Sequence, residues 1–304
     1  MSILDRPHFH NEAAAVAHLE TIVWPDGPVC PHCGGIDRIT PVKGGRIGLK
    51  RCGDCKKQFT CKVGTVFEDS KVPLHKWFQA AHLLASSKKG VSSHQLHRTL
   101  GVTYKTAWFM AHRLREAMRT DPKGQLGGPG KIVEADETFF VNRKGVKKDV
   151  GVGHKMAIMS LVERGGSIRS VVMDRVTRAN VERVIRRNVN HESKLMTDMA
   201  AYYKRSHFGI AEHEMVDHSA GEYAFEDIHV NTLEGFYSIF KRGMKGVYQH
   251  CSEKHLHRYV AEFDFRYNNR SGLGVEDVER AENALRGIVG KRLTYRTPDV
   301  TAAE

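Results

Sequence analysis

The stretch Val230-Asn-Thr-Leu-Glu-Gly-Phe-Tyr-Ser-Ile-Phe-Lys-Arg-Gly243 sets the reading of the whole chain. Glu234 and Lys241 stand seven residues apart, which on an α-helix is two turns along one face. Asn231 and Ser238 fall on that same face, whereas Leu233, Phe236 and Phe240 turn towards a core. An acid and an ammonium on one stripe also describes a solvated ion pair, so the stripe alone decides nothing. Two upstream aspartates give it weight. Each closes an apolar run, Lys131-Ile-Val-Glu-Ala-Asp136 and Ser193-Lys-Leu-Met-Thr-Asp198, so the helix reads as the third wall of a site built from acids.

Composition limits the partners. The 304 residues carry a formal net charge of +12 with 18 histidines counted neutral, and the pI is near 9.4. Such an excess of Lys and Arg suits a polyanion, nucleic acid first, because neutralised phosphates release counterions. No apolar run reaches the roughly 18 residues that a membrane span needs, and the N-terminus lacks the apolar stretch of a secretory signal. Five of the six cysteines crowd between positions 30 and 61, a spacing for metal rather than for disulfides, which points to a reducing cytoplasmic setting.

Those cysteines form two pairs, Cys30-Pro-His-Cys33 and Cys52-Gly-Asp-Cys55, with eighteen residues between them. Each pair closes a tight knuckle, and four thiolates complete a tetrahedral structural zinc site. His32 inside the first knuckle is the alternative ligand, and Cys61 reads as a buried strand residue outside the set. Residues 39–43 and 46–51 alternate as the strands of a zinc ribbon, preceded by an Ala-rich helix that Asn11 caps. Three helical patterns follow, over 74–85, 92–100 and 103–118. The last two are separated by a Gly101 turn in the manner of a helix-turn-helix. In that arrangement Tyr104, Lys105 and Thr106 face base edges, with Arg113 and Arg115 nearer the DNA backbone. The competing reading is a plain three-helix packing unit.

After the Gly- and Pro-rich stretch 121–130 the second half reads as strands first and helices later. A strand delivers Asp136, a hairpin turns at Arg164-Gly-Gly166, and a short strand ends on Asp198. One more strand over 215–219 precedes the Glu234 helix, and an amphipathic helix spans 253–267. Three carboxylates can hold two divalent ions, one beside the attacking oxygen and one beside the leaving oxygen. Magnesium or manganese suits such oxygen donors. Strand alternation puts Glu134 on the same face as Asp136, so Glu134 stays a rival for the first position.

The segments Val-Glu-Ala-Asp-Glu-Thr-Phe at Asp136, Thr-Asp at Asp198 and Asn-Thr-Leu-Glu-Gly-Phe-Tyr-Ser at Glu234 resemble the DDE transposases of bacterial insertion sequences, in the group with an N-terminal zinc ribbon. Lys241-Arg-Gly, Gly246-Val-Tyr, Ser252-Glu-Lys-His-Leu and Glu262-Phe-Asp-Phe-Arg-Tyr-Asn-Asn-Arg270 extend the likeness. It implies an α/β (α+β) chain in which an RNase H-like mixed sheet, flanked by helices, follows a zinc ribbon and a helix-turn-helix module. The implied divisions are 1–24, 25–66 (ribbon), 67–122 (helix-turn-helix), 123–275 (catalytic) and a tail, 276–304. It further implies metal-dependent cleavage at element ends and joining of the freed 3′-hydroxyl to target DNA. Asp136, Asp198 and Glu234 would be the ligands, of two ions, and Lys241 would contact phosphate or the terminal bases. Arg242 and Lys245, with His250, form a DNA-facing rim. Asn231 and His218 read as structural neighbours of the site, with Asn231 also a candidate to share the ligand role with Glu234. The expected partners are the terminal inverted repeats, target DNA and further copies of the chain on paired ends, in a nucleoid-associated cytoplasmic protein. A non-catalytic DNA-binding regulator and a structure-specific nuclease are the alternative readings.

Overall fold

A computed structural model of the chain describes residues 3–119, 124–147, 152–204, 208–216 and 229–294. They fall into two compact units. The first takes the described residues of 1–87, 91–119 and 276–304, and the second those of 88–90 and 120–275.

The first unit opens with α1 (Glu12–Val23), which Asn11 caps by accepting from the Ala14 N–H at 3.0 Å. Strands β1 (Ile39–Pro41), β2 (Lys50–Cys52) and β3 (Gln58–Phe59) form a three-stranded antiparallel ribbon. Cys61 is buried, but in the turn after β3 rather than within a strand. Then come α2 (Leu74–Ser86), α3 (Ser93–Leu100) and α4 (Tyr104–Met118). Ser92 and Thr103 cap α3 and α4, and Gly101, at φ 58°, makes the left-handed turn between them. Helix α2 starts after Pro73 and has no side-chain cap of its own. The carboxylate of Glu12 fills that place, accepting from the Leu74 N–H at 2.9 Å and the His75 N–H at 3.3 Å.

The second unit carries β4 (Ile132–Asn142), β5 (Lys155–Glu163), β6 (Ile168–Met173), α5 (Arg178–Asn188), β7 (Lys194–Asp198), α6 (Ala201–Lys204) and β8 (Glu212–Val216). Helices α7 (Asn231–Gly243) and α8 (Leu256–Asn268) complete it. The five strands run in the order β6-β5-β4-β7-β8. The β4–β5 and β5–β6 pairs are antiparallel, and β4–β7 and β7–β8 are parallel. This is the mixed sheet flanked by helices that the RNase H-like reading requires. Strand β8 lies a few residues earlier than the alternation at 215–219 suggests, and residues 217–219 are outside the described set. Alternation sorts the side chains. Ile158 and Val162 face α7 and α8, whereas Val133, Ala135, Ala157, Met159 and Leu161 face α5 and α6.

Helix α8 also seals the sheet. Strand β6 is an edge, and its outward backbone groups are taken by side chains of α8 instead of another strand. Asn268 accepts from the Ile168 N–H at 2.7 Å and donates to the Ile168 carbonyl at 2.9 Å. Asp264 accepts from the Ser170 N–H at 2.8 Å and the Ser170 hydroxyl at 2.7 Å. Burial pushes the Asp264 carboxyl up to about 7, against the pull of those two donors and of Arg169. The last helix, α9 (Asp277–Arg286), belongs to the first unit, where it packs against α2 and α4.

An acid that ionises less readily folded than unfolded weakens the fold as pH climbs from 3.8 towards about 7, because the unfolded chain releases its proton first. Replacing Asp264 by Asn keeps an acceptor for the Ser170 amide and removes that titration. Urea midpoints measured at pH 5 and pH 8 should therefore fall further for the wild type than for Asp264→Asn. Equal falls would show that Asp264 does not titrate between those values.

Candidate active site

Helix α7 fixes the site from one side of the sheet. Its exposed face carries Asn231, Glu234, Ser238 and Lys241, and Leu233, Phe236, Tyr237 and Phe240 are buried beneath. Two ties hold it to β4. At its N-terminus, where Val230 gives no side-chain cap, the fully buried carboxylate of Glu134 accepts from the Thr232 N–H at 3.1 Å and the Leu233 N–H at 3.2 Å. The same group accepts from the Thr232 hydroxyl at 2.8 Å and from Nε of Arg164 at 2.7 Å. Arg164 in turn donates to the His229 carbonyl at 2.7 Å, just ahead of the helix. Nearly two turns into α7, the Tyr237 hydroxyl donates to the Asp136 carbonyl at 2.7 Å and accepts from the Ser160 N–H at 3.1 Å. Glu134 is thus occupied as a helix cap and an ion-pair partner, which removes it as the rival to Asp136.

Asp136 and Asp198 come from neighbouring parallel strands. Pairing of β4 with β7 runs from Ile132↔Lys194 to Glu134↔Met196, and both aspartates lie two residues past its end. The Asp136 carboxylate accepts from the Glu137 N–H at 2.7 Å, and that of Asp198 from the Ala200 N–H at 3.0 Å. Burial pushes the Asp136 carboxyl up to about 6; the Glu137 N–H pulls against this, Asp198 and Glu234 add to it, and Lys241 opposes it. All four residues therefore act on one locality. Their ligand oxygens are not drawn into one tight cluster: among the described residues, the only group of three or more ligating side chains within 4.8 Å of one another is the cysteine set. The donors themselves, three carboxylates beside the Asn231 amide, are hard oxygen donors that fit magnesium or manganese. A cation would offset the cost of ionising a buried Asp136 carboxyl as well as the repulsion from Asp198 and Glu234.

The next residue in β4, Glu137, points to the opposite face. Its carboxylate accepts from the Tyr202 hydroxyl at 2.8 Å and from that of Tyr203. Burial pushes it up to about 7, against the pull of both phenols. Neither this arrangement nor the Tyr237 tie was read from the sequence. The available signals were a second acid next to Asp136 and a hydroxyl on the apolar side of the helical stripe.

The zinc ligands meet the geometry asked of them. Cys30 and Cys55 sulfurs are 3.7 Å apart and those of Cys33 and Cys52 3.6 Å. A tetrahedron with Zn–S bonds of about 2.3 Å has edges of about 3.8 Å. His32 is outside the cluster.

Residues expected on DNA divide. Tyr104 and Lys105 are exposed at the start of α4, and Thr106 is half-buried with its hydroxyl 2.8 Å from that of Thr103. Lys105, Thr106 and Phe109 line an open groove of about 300 Å³ together with Lys71. Arg113 is turned inward instead. It donates to the Val66 and Glu68 carbonyls, both at 2.8 Å, and to the Leu293 carbonyl at 3.1 Å, because the C-terminal segment folds back over this part of α4. Arg115 is buried too. Arg242 and Lys245 are exposed, as is His250, and His218 lies outside the described residues. Gly243 ends α7 where a Cβ would meet the Lys89 carbonyl oxygen at 2.6 Å, which accounts for the glycine of Lys241-Arg-Gly.

Residues 125–268 match the ISXO2-like transposase domain and residues 10–58 the transposase zinc-ribbon domain. The chain is 30% identical over 282 residues to a protein of the transposable element ISH50 of Halobacterium salinarum, covering 85% of this chain and 91% of that one. Two similar solved structures are a simian T-cell lymphotropic virus intasome in complex with a PP2A regulatory subunit and a pre-cleavage Mos1 transpososome. The first has a TM-score of 0.30 at 16% identity, covering 70% of this chain and 77% of that chain. The second has a TM-score of 0.29 at 16% identity, covering 64% and 73%. No helix among the described residues is long and apolar enough to cross a membrane.

Removing the Glu134 carboxylate takes the ionic partner from Arg164 and the acceptor from two helix amides together. Glu134→Ala should cost about 3–5 kcal/mol in chemical denaturation, and Glu134→Gln less; a loss below about 1 kcal/mol for Glu134→Ala would contradict the capping role. Metal analysis of the purified chain should find one zinc ion, lost on Cys52→Ser. Retention of the ion in that variant would show that Cys52 is not a ligand.

Proposed function

The chain belongs to the ISXO2-like (IS1595) family of insertion-sequence transposases, and from that premise we propose that it cuts the ends of its element by metal-dependent hydrolysis and joins the freed 3′-hydroxyl to target DNA. The observation that supports this reading is that Asp136 and Asp198 each lie two residues beyond the paired part of the neighbouring strands β4 and β7, with Glu234 and Lys241 on a helix tied to Asp136 itself.

Asp136, Asp198 and Glu234 are the proposed ligands. Bound there, two divalent ions would supply activation of the attacking oxygen and stabilisation of the leaving oxygen. The remaining work falls to the chain. Lys241, exposed on the same face as Glu234 and two turns further along α7, binds a phosphate beside the scissile bond. Arg242 and Lys245 extend that positive edge along the strand. Tyr104, Lys105 and Thr106 at the start of α4 read the terminal repeats, while Arg113 serves the fold and not the DNA. The ties at Glu134 and Tyr237 keep α7 from drifting when substrate arrives, so the ligands are oriented in advance. We further propose that two or more copies act on paired ends.

The test is strand transfer by the zinc-loaded chain with magnesium, using the inverted repeats that flank its gene. Asp198→Ala should abolish cleavage and joining while leaving binding to the repeats intact. Lys241→Ala should lower the rate by at least tenfold, as for the loss of an oriented electrostatic contact. Cleavage without joining would identify a nuclease instead. Unchanged function after Asp198→Ala would identify a DNA-binding regulator.

A further inference from the structure

We infer that Glu137, through Tyr202 and Tyr203, is a positioning residue that sets where Asp198 lies relative to Asp136. The inference rests on the proposal that those two aspartates are ligands. It starts from a gap in the sheet. The β4–β7 ladder stops at Glu134↔Met196, two residues short of both aspartates, whereas β7 stays paired with β8 as far as Asp198↔Val216. Backbone pairing therefore fixes Asp198 against β8 but leaves its spacing from Asp136 undetermined.

Side chains bridge that gap. Asp136 and Glu137 are consecutive, so they project to opposite faces of β4. On the far face, Glu137 receives one phenol on each oxygen, Tyr202 at 2.8 Å on Oε2 and Tyr203 on Oε1. Both tyrosines belong to α6, which starts three residues after Asp198. Asp198 closes the loop by accepting from the Ala200 N–H at 3.0 Å, and Ala200 accepts from the Tyr203 N–H at 2.9 Å. A continuous chain of bonds thus runs from Asp136 through Glu137, the phenols and α6 to Asp198.

Two features favour positioning over simple packing. Among the described residues no Lys or Arg forms an ion pair with Glu137, so this half-buried carboxylate is held by its phenols and not by a counter-charge. Its partners are two directional O–H donors on adjacent residues, which fix α6 both in distance and in rotation. Tyr203 is fully buried with Phe208 against the same sheet face, so the anchor it provides is rigid. Groups that orient ligands in this way typically change metal affinity or activity by about 10–100-fold when lost.

The experiment is a manganese titration of the full-length, zinc-loaded chain, read by the electron paramagnetic resonance signal of free Mn²⁺, beside urea midpoints for every variant. Asp198→Ala is the control and should weaken binding most. Glu137→Gln keeps the size of the side chain but cannot accept from both phenols, and should weaken Mn²⁺ binding by about tenfold. Tyr202→Phe removes one oxygen from a half-buried ring, so it stays folded and should give a smaller loss in the same direction. Raising Mg²⁺ should restore much of the strand-transfer rate of Glu137→Gln, but none of that of Asp198→Ala. Wild-type Mn²⁺ affinity in both Glu137→Gln and Tyr202→Phe, with Asp198→Ala impaired, would overturn the inference and leave the ligand assignment standing. Wild-type affinity in Asp198→Ala would overturn the ligand assignment, and the inference with it.

Discussion

The geometry of the second unit hangs on the buried carboxylate of Glu134. A carboxylate with no solvent access is expensive unless its oxygens are fully engaged. Here one guanidinium, one hydroxyl and two helix amides engage it, and each comes from an element that must be in place for the site to exist. Arg164 brings the β5–β6 turn, and Thr232 and Leu233 bring the start of α7. The positive end of the helix dipole adds to the attraction. Because Glu134 and Asp136 share one face of one strand, the cap of α7 and the first acid of the site cannot move independently.

Much of this was legible in the sequence and some was not, for a physical reason. The face of α7 was legible because helical period is local: Asn231, Glu234, Ser238 and Lys241 are exposed and Leu233, Phe236 and Phe240 buried, as the spacing requires. The zinc ligands were legible because a tetrahedron of sulfurs demands two short-spaced pairs. Alternation also put Glu134 beside Asp136 correctly. It could not say which acid meets a helix terminus and which meets an ion, since both uses want an acid facing the same way. That choice is made by Arg164, thirty positions further on and read only as part of a turn. Arg113 failed for a similar reason. Its charge suggests exposure, and the segment that covers it arrives from the far end of the chain, with Leu293.

The segment Glu262 to Arg270 shows how a run that extends a family likeness can serve the scaffold. Its apolar positions Phe263 and Tyr267 pack into the core, as amphipathicity predicts. Its polar positions look like a solvated face in sequence, yet Asp264 and Asn268 meet the backbone of β6. Arg270 reaches the Gly166 carbonyl at 3.0 Å and stacks on Tyr267. Side chains that replace a missing neighbour strand keep the edge from pairing with another copy. The same contacts fix α8, and through Phe263 against Phe240 they back the helix that carries Glu234.

Strand β4 therefore places three acids within four residues and gives them unequal surroundings. Glu134 has a cation and three neutral donors, and Glu137 has two phenols. Asp136, between them, accepts among the described residues only from the amide of its own successor, while burial first, and then Asp198 and Glu234, push its carboxyl up against the pull of Lys241. The donors that would satisfy it have been spent on its neighbours, whose task is to hold α7 and α6 still. An acid kept rigid yet short of partners is strained electrostatically in a way that an added divalent cation relieves. If Asp136, Asp198 and Glu234 are ligands as proposed, a bound ion would supply the missing positive charge and draw together oxygens that the fold leaves outside one tight cluster.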